Sequence, residues 1–211
     1  MTAQKLSPGE EFDKALRERA PAFGVTLTAE DRAGLRVYFE IVMKWNARLH
    51  LVAPCPPAEF AARHVLESLL ALPFLTEGAA VVDVGSGAGL PVVPCLIARP
   101  DLRATLFESS QKKSIFLREA LREVGRHEAA AVVARRFEDA EPPAADFLTC
   151  RAIERFTEIL PRLLAWSSGV PVLLLFGGEA LGERLLAAGA AFEPARVPGT
   201  ERSFLFVVRR G

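Results

Sequence analysis

Residues 81–91 read Val81-Val82-Asp83-Val84-Gly85-Ser86-Gly87-Ala88-Gly89-Leu90-Pro91. An apolar strand runs out at Val84, a glycine-rich turn follows, and a helix is expected to begin near Leu90. Glycine reaches positive φ without strain and leaves no Cβ in the way of a ligand. In an open parallel sheet, ligands bind just beyond the carboxyl ends of the strands, so the first expected site is the end of this strand. A dinucleotide fingerprint reads GxGxxG. The sixth position here is Leu90, so that pattern is not met. Alone, the cluster also fits a tight strand-to-helix turn with no ligand.

The next strand adds chemistry. Thr105-Leu106-Phe107-Glu108 puts a carboxylate at a strand end, about 20 residues past the loop. A carboxylate there can accept from both vicinal hydroxyls of a ribose. NAD and S-adenosylmethionine both carry a ribose, and Glu108 alone does not separate them. Further on, Arg135-Arg136-Phe137-Glu138-Asp139 follows the third strand. At that place Phe137 could pack on an adenine ring, and Glu138 or a nearby backbone amide could meet the exocyclic amine.

Outward from these segments, short apolar runs alternate with longer helical ones. Strands are expected over Ala80–Val84, Ala104–Phe107, Ala130–Val133, Asp146–Cys150, Val170–Phe176, Ala191–Val197 and Phe204–Val208. Helices are expected between them over Leu90–Ala98, Lys112–Val124, Ile153–Leu164 and Glu179–Ala188. Such alternation implies βαβ units and a mainly parallel sheet covered on both faces. The loop Pro198–Ser203 is too short for a crossover, so the last two strands should pair antiparallel. The expected fold class is therefore α/β, the Rossmann-like doubly wound seven-stranded sheet of the class I S-adenosylmethionine-dependent methyltransferases, with N-terminal helices. The missing third glycine and the terminal hairpin favour S-adenosylmethionine over NAD. Ala140–Ala145, with Pro142-Pro143, is the expected exposed loop.

Residues 1–75 read as helical and form an extension packed on a methyltransferase domain of residues 76–211. Thr28 and Asp31 make a capping box. Leu35, Tyr38, Phe39, Val42, Met43 and Trp45 then recur at helical spacing. After the Pro54-Cys55-Pro56-Pro57 interruption, a second helix is expected over Ala58–Leu72, with Phe60, Val65, Leu66, Leu69 and Leu70 inward.

The bulk numbers exclude several classes. A chain of 211 residues, half hydrophobic and a quarter charged, suits a globular domain. The formal net charge is +0, so nucleic-acid contact would have to come from a local patch. Cys55, Cys95 and Cys150 show no metal-ligand spacing and read as buried, reduced thiols suited to the cytoplasm. No metal site is expected. The charged N-terminus is no secretory signal, and no apolar run approaches about 18 residues, the length needed to span a membrane.

At the fourth strand's end stand Thr149-Cys150-Arg151-Ala152. That tip faces the reacting methyl in methyltransferases of this fold. The Asn/Asp-Pro-Pro-aromatic motif of amino-group methyltransferases is absent. Cys150 lacks the adjacent proline of a cytosine C5 nucleophile and should point into the core. Guanine N7, by contrast, has an in-plane lone pair and no proton, so it needs alignment but no general base. Arginines suit guanine O6 and N7 or a flanking phosphate.

With these residues in place, the chain resembles the glucose-inhibited division protein B family, the 16S ribosomal RNA guanine-N7 methyltransferases. The resemblance runs from about Thr28 to the C-terminus. It rests on Lys44-Trp45-Asn46, Arg63-His64-Val65-Leu66-Glu67-Ser68, the segment from Asp83 to Pro91, Arg99-Pro100, Lys112-Lys113 with Phe116-Leu117, Arg136-Phe137-Glu138, Cys150-Arg151-Ala152 and Glu201-Arg202. It implies S-adenosylmethionine as cofactor, held at Gly85, Gly87, Leu90, Phe137, Glu138 and Arg151, with Glu108 as the strand-end acid. Arg136 and Arg151 are the candidate catalytic residues. Arg136, Arg151 and Arg202 would line the RNA side, with Lys112 beside them. The implied partner is 16S ribosomal RNA or the small ribosomal subunit, met by a cytoplasmic monomer.

Departures from the family pattern are His50-Leu51-Val52 for Asn-Leu-Thr, Val92 for a glycine, and Phe176 for a lysine before Gly177. They motivate a second expectation, a methyltransferase-fold protein that binds RNA or a partner with lost or altered chemistry. An NAD-linked oxidoreductase is the third. It lacks a Tyr-Lys or catalytic-histidine arrangement, since the only tyrosine, Tyr38, falls in the N-terminal helices. His64 reads as a packed or capping group, Trp45 as core, and Arg209-Arg210 as a solvated tail. Lys112, Lys113, Arg118, Arg122 and Arg126 read as a solvated helix face or a phosphate track.

Overall fold

Strands β1 (Ala80–Val84), β2 (Arg103–Phe107), β3 (Ala130–Val133), β4 (Phe147–Arg151), β5 (Val172–Gly177), β6 (Phe192–Arg196) and β7 (Phe204–Arg209) form one sheet. The computed structural model describes residues 6–151 and 156–210. The strand order is β3-β2-β1-β4-β5-β7-β6. β1 to β5 pair parallel, and β7 runs antiparallel to both β5 and β6. This is the doubly wound sheet with a terminal hairpin expected from the alternation. The strand order reverses at β1 and β4, and open sheets of this kind bind ligands at the carboxyl edge beside such a reversal.

Strand side chains alternate between two apolar layers, as the two-residue repeat of a strand requires. Val81, Leu106, Phe147, Leu174, Phe176 and Val207 face a large core shared with the N-terminal helices. Val82, Val84, Phe107, Leu148, Cys150, Leu175 and Phe206 face a smaller one on the other side. Both faces are buried, so the parallel strands read as near-continuous apolar runs.

The N-terminal helices α1 (Pro8–Arg19) and α2 (Ala29–Leu49) each begin with a reciprocal capping box, Ser7 with Glu10 and Thr28 with Asp31. The second box is the expected one. Leu35, Tyr38, Phe39 and Val42 are buried as the spacing implied, and Trp45 packs edge-on against Phe116. Asn46 closes the following loop through both its amide groups, onto Val52 N–H and C=O, and His50 at the helix end has φ 48°.

The helix expected over Ala58–Leu72 is broken. It comprises α3 (Pro57–Phe60), a wide π turn (Ala61–Leu66) and α4 (Glu67–Leu69). In an α-helix Glu67 N–H would bond the Arg63 carbonyl. Here it bonds Ala62 O, and the Arg63 carbonyl instead accepts from Arg151, 2.6 Å away. The remaining helices are α5 (Val92–Ala98), α6 (Gln111–Glu123), α7 (Phe156–Trp166) and α8 (Glu179–Ala187). The first of these starts two residues after the expected Leu90. The first residues of the helix expected over 153–164, and Ala152, lie outside the described residues.

Two smaller expectations are corrected. Arg210 is not a solvated tail: its guanidinium donates to the carbonyls of Ser167 and Leu164. Cys55 is half-buried, whereas Cys95 and Cys150 are buried. Among the described residues no helix is long and apolar enough to cross a membrane.

Candidate functional site

The glycine bend sits at the carboxyl edge of β1. Gly85, Gly87 and Gly89 have φ of 73°, 52° and 88°, values that other residues adopt only with strain. Gly85 and Ser86 both donate their N–H to Phe107 O at the end of β2, at 2.9 and 3.1 Å. A Cβ on Gly89 would stand 2.6 Å from Val93 Cγ2, so a glycine is needed there for α5 to approach the bend. Tyr38, wholly buried on α2, donates its hydroxyl to Ala88 O at 2.7 Å. That link from the N-terminal helices to the bend was not read from the sequence, where Tyr38 signalled only a buried helix face.

Glu108 points into the bend. Its Oε2 accepts from Gly87 N–H at 2.8 Å and its Oε1 from Ser110 N–H at 2.7 Å. The residue is 7% exposed. Each carboxylate oxygen has two lone pairs, so capacity remains for further donors at this edge.

Beneath the bend, Asp83 is fully buried and stands opposite Thr149 in the β1–β4 register. Thr149 Oγ1 donates to Asp83 Oδ1 at 2.6 Å, while Oδ2 has no hydrogen-bond partner among the described residues. Burial pushes the Asp83 carboxyl up to about 7; the hydroxyls of Ser86 and Thr149 oppose this and the Glu108 charge adds to it. The folded state thus keeps a proton on Asp83 between about pH 4 and 7 that the unfolded chain has released, so this group's contribution to stability falls as pH rises through that window. His64, pushed down to about 4 by burial first and by Arg151 next, works in the opposite sense. Comparing variants isolates Asp83. The stability of Asp83→Asn relative to wild type should rise from pH 4 to 7, measured by urea unfolding. A difference that stays flat would contradict a raised Asp83 carboxyl.

A cavity of ≈ 380 Å³ opens beside the bend. Val84, Phe107, Phe137 and Ile159 form its apolar walls, and Gly85, Arg136, Glu138 and Arg162 reach its rim. Phe107 and Phe137 each meet the Trp166 ring edge-on, at 5.4 and 5.3 Å, and Trp166 Nε1 is fixed on Ala140 O. Glu138 pairs with Arg162 at 3.4 Å. Arg162, Ile159 and Ser109 also belong to this wall and carried no motif that would have singled them out.

The expected residues therefore fall into three groups. Gly85, Arg136, Phe137 and Glu138 line the cavity, whereas Gly87 and Glu108 are bonded to each other in the adjoining bend and are not part of its lining. Leu90 is buried under the bend. Arg151, Lys112 and Arg202 line no part of this cavity. Lys112 is exposed on the first turn of α6, and Arg202 is exposed in the β6–β7 turn. Arg118 on α6 donates to Val132 O, and Arg126, beyond the end of α6, donates to Ile97 O, so these residues do not form one uniform cationic row.

Arg151, at the tip of β4, is held by the π turn. Nη1 donates to His64 O and Ser68 Oγ, both at 3.2 Å. Nη2 donates to Arg63 O and stands 3.3 Å from Glu67 Oε2. The guanidinium lies over its cross-strand neighbour Phe176, 5.9 Å from the ring centroid, a cation–π contact. Phe176 and Val92, two of the departures from the family pattern, are both buried core residues here.

Comparison with known proteins agrees with this architecture. A family model described as rRNA small subunit methyltransferase G matches residues 31–191. A ribosomal RNA small subunit methyltransferase G from Xanthomonas axonopodis pv. citri (strain 306) is 36% identical over 200 residues, spanning 88% of this chain and 90% of that protein. Its counterpart from Sorangium cellulosum (strain So ce56) is 37% identical over 193 residues, spanning 87% of this chain and 77% of that one. Among solved structures, the mitomycin 7-O-methyltransferase superposes with a TM-score of 0.62 at 16% identity, over 98% of this chain and 74% of that one. At that identity the likeness concerns the fold, which there includes the N-terminal helices.

Proposed function

The chain belongs to the rRNA small subunit methyltransferase G family, and from that premise we infer that it methylates N7 of a guanine in 16S ribosomal RNA, using S-adenosylmethionine in the cytoplasm. The single observation that carries the cofactor assignment is Glu108, buried at a strand tip with its carboxylate turned into the glycine bend. The donor set fits a nucleoside. Glu108 has acceptor capacity for two ribose hydroxyls, the Phe137 and Ile159 walls suit a purine, and Glu138 at the rim can accept from an exocyclic amine. S-adenosylmethionine supplies a methyl group on a positively charged sulfur.

This chain's residues then have limited chemistry to perform. Guanine N7 carries a lone pair and no proton, so no side chain has to remove one. The bend and its neighbours orient the reactants, which is where such a transfer gains most. Arg136, exposed at the rim, would meet a phosphate of the RNA. Arg151 acts through the segment it holds, as a positioning residue.

The test is a calorimetric titration with S-adenosylhomocysteine, followed by mapping of methyl groups on 16S RNA and on small subunits incubated with the protein. Saturable binding and a modified guanine N7 are expected. Absence of thioether binding, or a methyl on another atom, would remove the assignment.

A further inference from the structure

A second cavity of ≈ 380 Å³ lies on the other side of the β4 tip. β6 runs in the same direction as β5, because β7 is antiparallel to both. The turn after β6 therefore rises at the same carboxyl edge as the glycine bend, and its residues 197–200 form one wall of this cavity. The opposite wall comes from the end of α1 and the turn after it, through Arg19 and Phe23, and from the π turn and the start of α4, through Ala62, Arg63 and Glu67. In sheet order, the glycine bend of β1 and the β6–β7 turn flank β4, whose Arg151 grips Glu67. A donor at the first cavity and an acceptor at the second would thus approach the same strand tip from two sides.

The lining has a definite chemistry. Phe23 and Ala62 offer apolar surface for a flat ring. Glu67 is mostly buried and pairs with Arg151 through Oε2. Its carboxylate makes no other hydrogen bond to a described residue, so one acceptor edge remains for a ligand. Guanine is the base whose Watson–Crick edge offers two parallel donors, N1–H and the N2 amine, and a carboxylate accepts such a pair in two-point fashion. Arg19 and Arg63 stand at the mouth, Arg63 held by Glu59, where the phosphates flanking an unstacked nucleotide would lie. Single-stranded RNA is read by this combination of ring stacking and edge hydrogen bonds.

We propose that this second cavity, between the π turn and the β6–β7 turn, seats an unstacked guanine of the acceptor RNA with Glu67 reading its N1–H and N2–H edge. The proposal rests on the RNA methyltransferase assignment and adds where the acceptor binds. It also gives the N-terminal helices a role, since they supply most of the wall.

The experiment fills the cavity. Ala62→Trp should leave the S-adenosylhomocysteine dissociation constant unchanged while raising KM for a 16S RNA fragment by about tenfold or more, the scale of one lost base-stacking contact. Phe23→Ala should shift KM in the same direction without adding bulk. Guanosine monophosphate should inhibit wild-type methyl transfer better than adenosine monophosphate, and Glu67→Gln, whose fold is checked by urea unfolding because it unpairs Arg151, should erase that preference. An Ala62→Trp protein with wild-type KM for RNA would overturn the cavity assignment and leave the cofactor assignment standing. A wild-type protein that binds no thioether would overturn both.

Discussion

Arg151→Ala is expected to lower the stability of the fold by about 3–5 kcal/mol, the usual cost of removing one partner from a buried ion pair. Arg151 and Glu67 are 13% and 14% exposed at the side chain. The substitution leaves the Glu67 carboxylate in a poorly solvated place without its cation. It also strips the carbonyls of Arg63 and His64 of a donor, and the π turn has released the Arg63 carbonyl from its own helix. Arg151→Lys should recover only part of the loss, because an ammonium cannot span the four acceptors that the planar fork reaches. Urea unfolding measures the effect. If Arg151 served the substrate alone, the midpoint would stay put while kcat fell.

The second large effect concerns Glu108. Glu108→Ala should weaken S-adenosylmethionine binding by roughly a hundredfold, about 3 kcal/mol, as expected for losing charge-assisted hydrogen bonds from a site partly shielded from water. Part of the loss comes from the protein itself, since Gly87 N–H and Ser110 N–H lose their acceptor and the bend loosens. Glu108→Gln separates the contributions. It keeps one carbonyl oxygen but turns an amide N–H towards a donor, so affinity should fall between the two. Calorimetry reads all three proteins, and equal affinity in Glu108→Ala would refute the ribose role.

Much of the sheet could be read from the chain because its signals are local. β1 and β3 occupy the residues that alternation marked, Ala80–Val84 and Ala130–Val133. β5 starts at Val172 rather than Val170, since Val170 N–H is drawn into a turn onto Ser167 O. The spacing of Glu108 from the glycine loop, about 20 residues, was legible as two neighbouring strand ends, whereas its hydrogen bond to Gly87 N–H carried no local signal. The capping box of Ser7 and Glu10 was equally local, and its Ser-Pro-Gly-Glu signal was present to be found.

The unreadable features depend on partners remote in sequence. Nothing within residues 57–69 signals a π turn; the displaced carbonyl has its partner in Arg151, 88 positions away. For the same reason Arg151 looked like a group free for substrate, whereas its Nη atoms are engaged by the protein. The wall residues Ile159 and Arg162 join Phe137 because α7 packs onto the apolar layer that Phe137 shares with Phe107 and Leu148, a tertiary fact without a motif.

The Tyr38–Ala88 hydrogen bond has a consequence for modularity. A polypeptide begun at residue 76 would keep every strand and the glycine-rich segment, yet lose the hydroxyl that anchors Ala88 and uncover the apolar layer under Val81 and Leu106. The leading helices thus share their core with the sheet and are expected to be inseparable from it. Limited proteolysis that severs them should abolish ligand capture and refolding together.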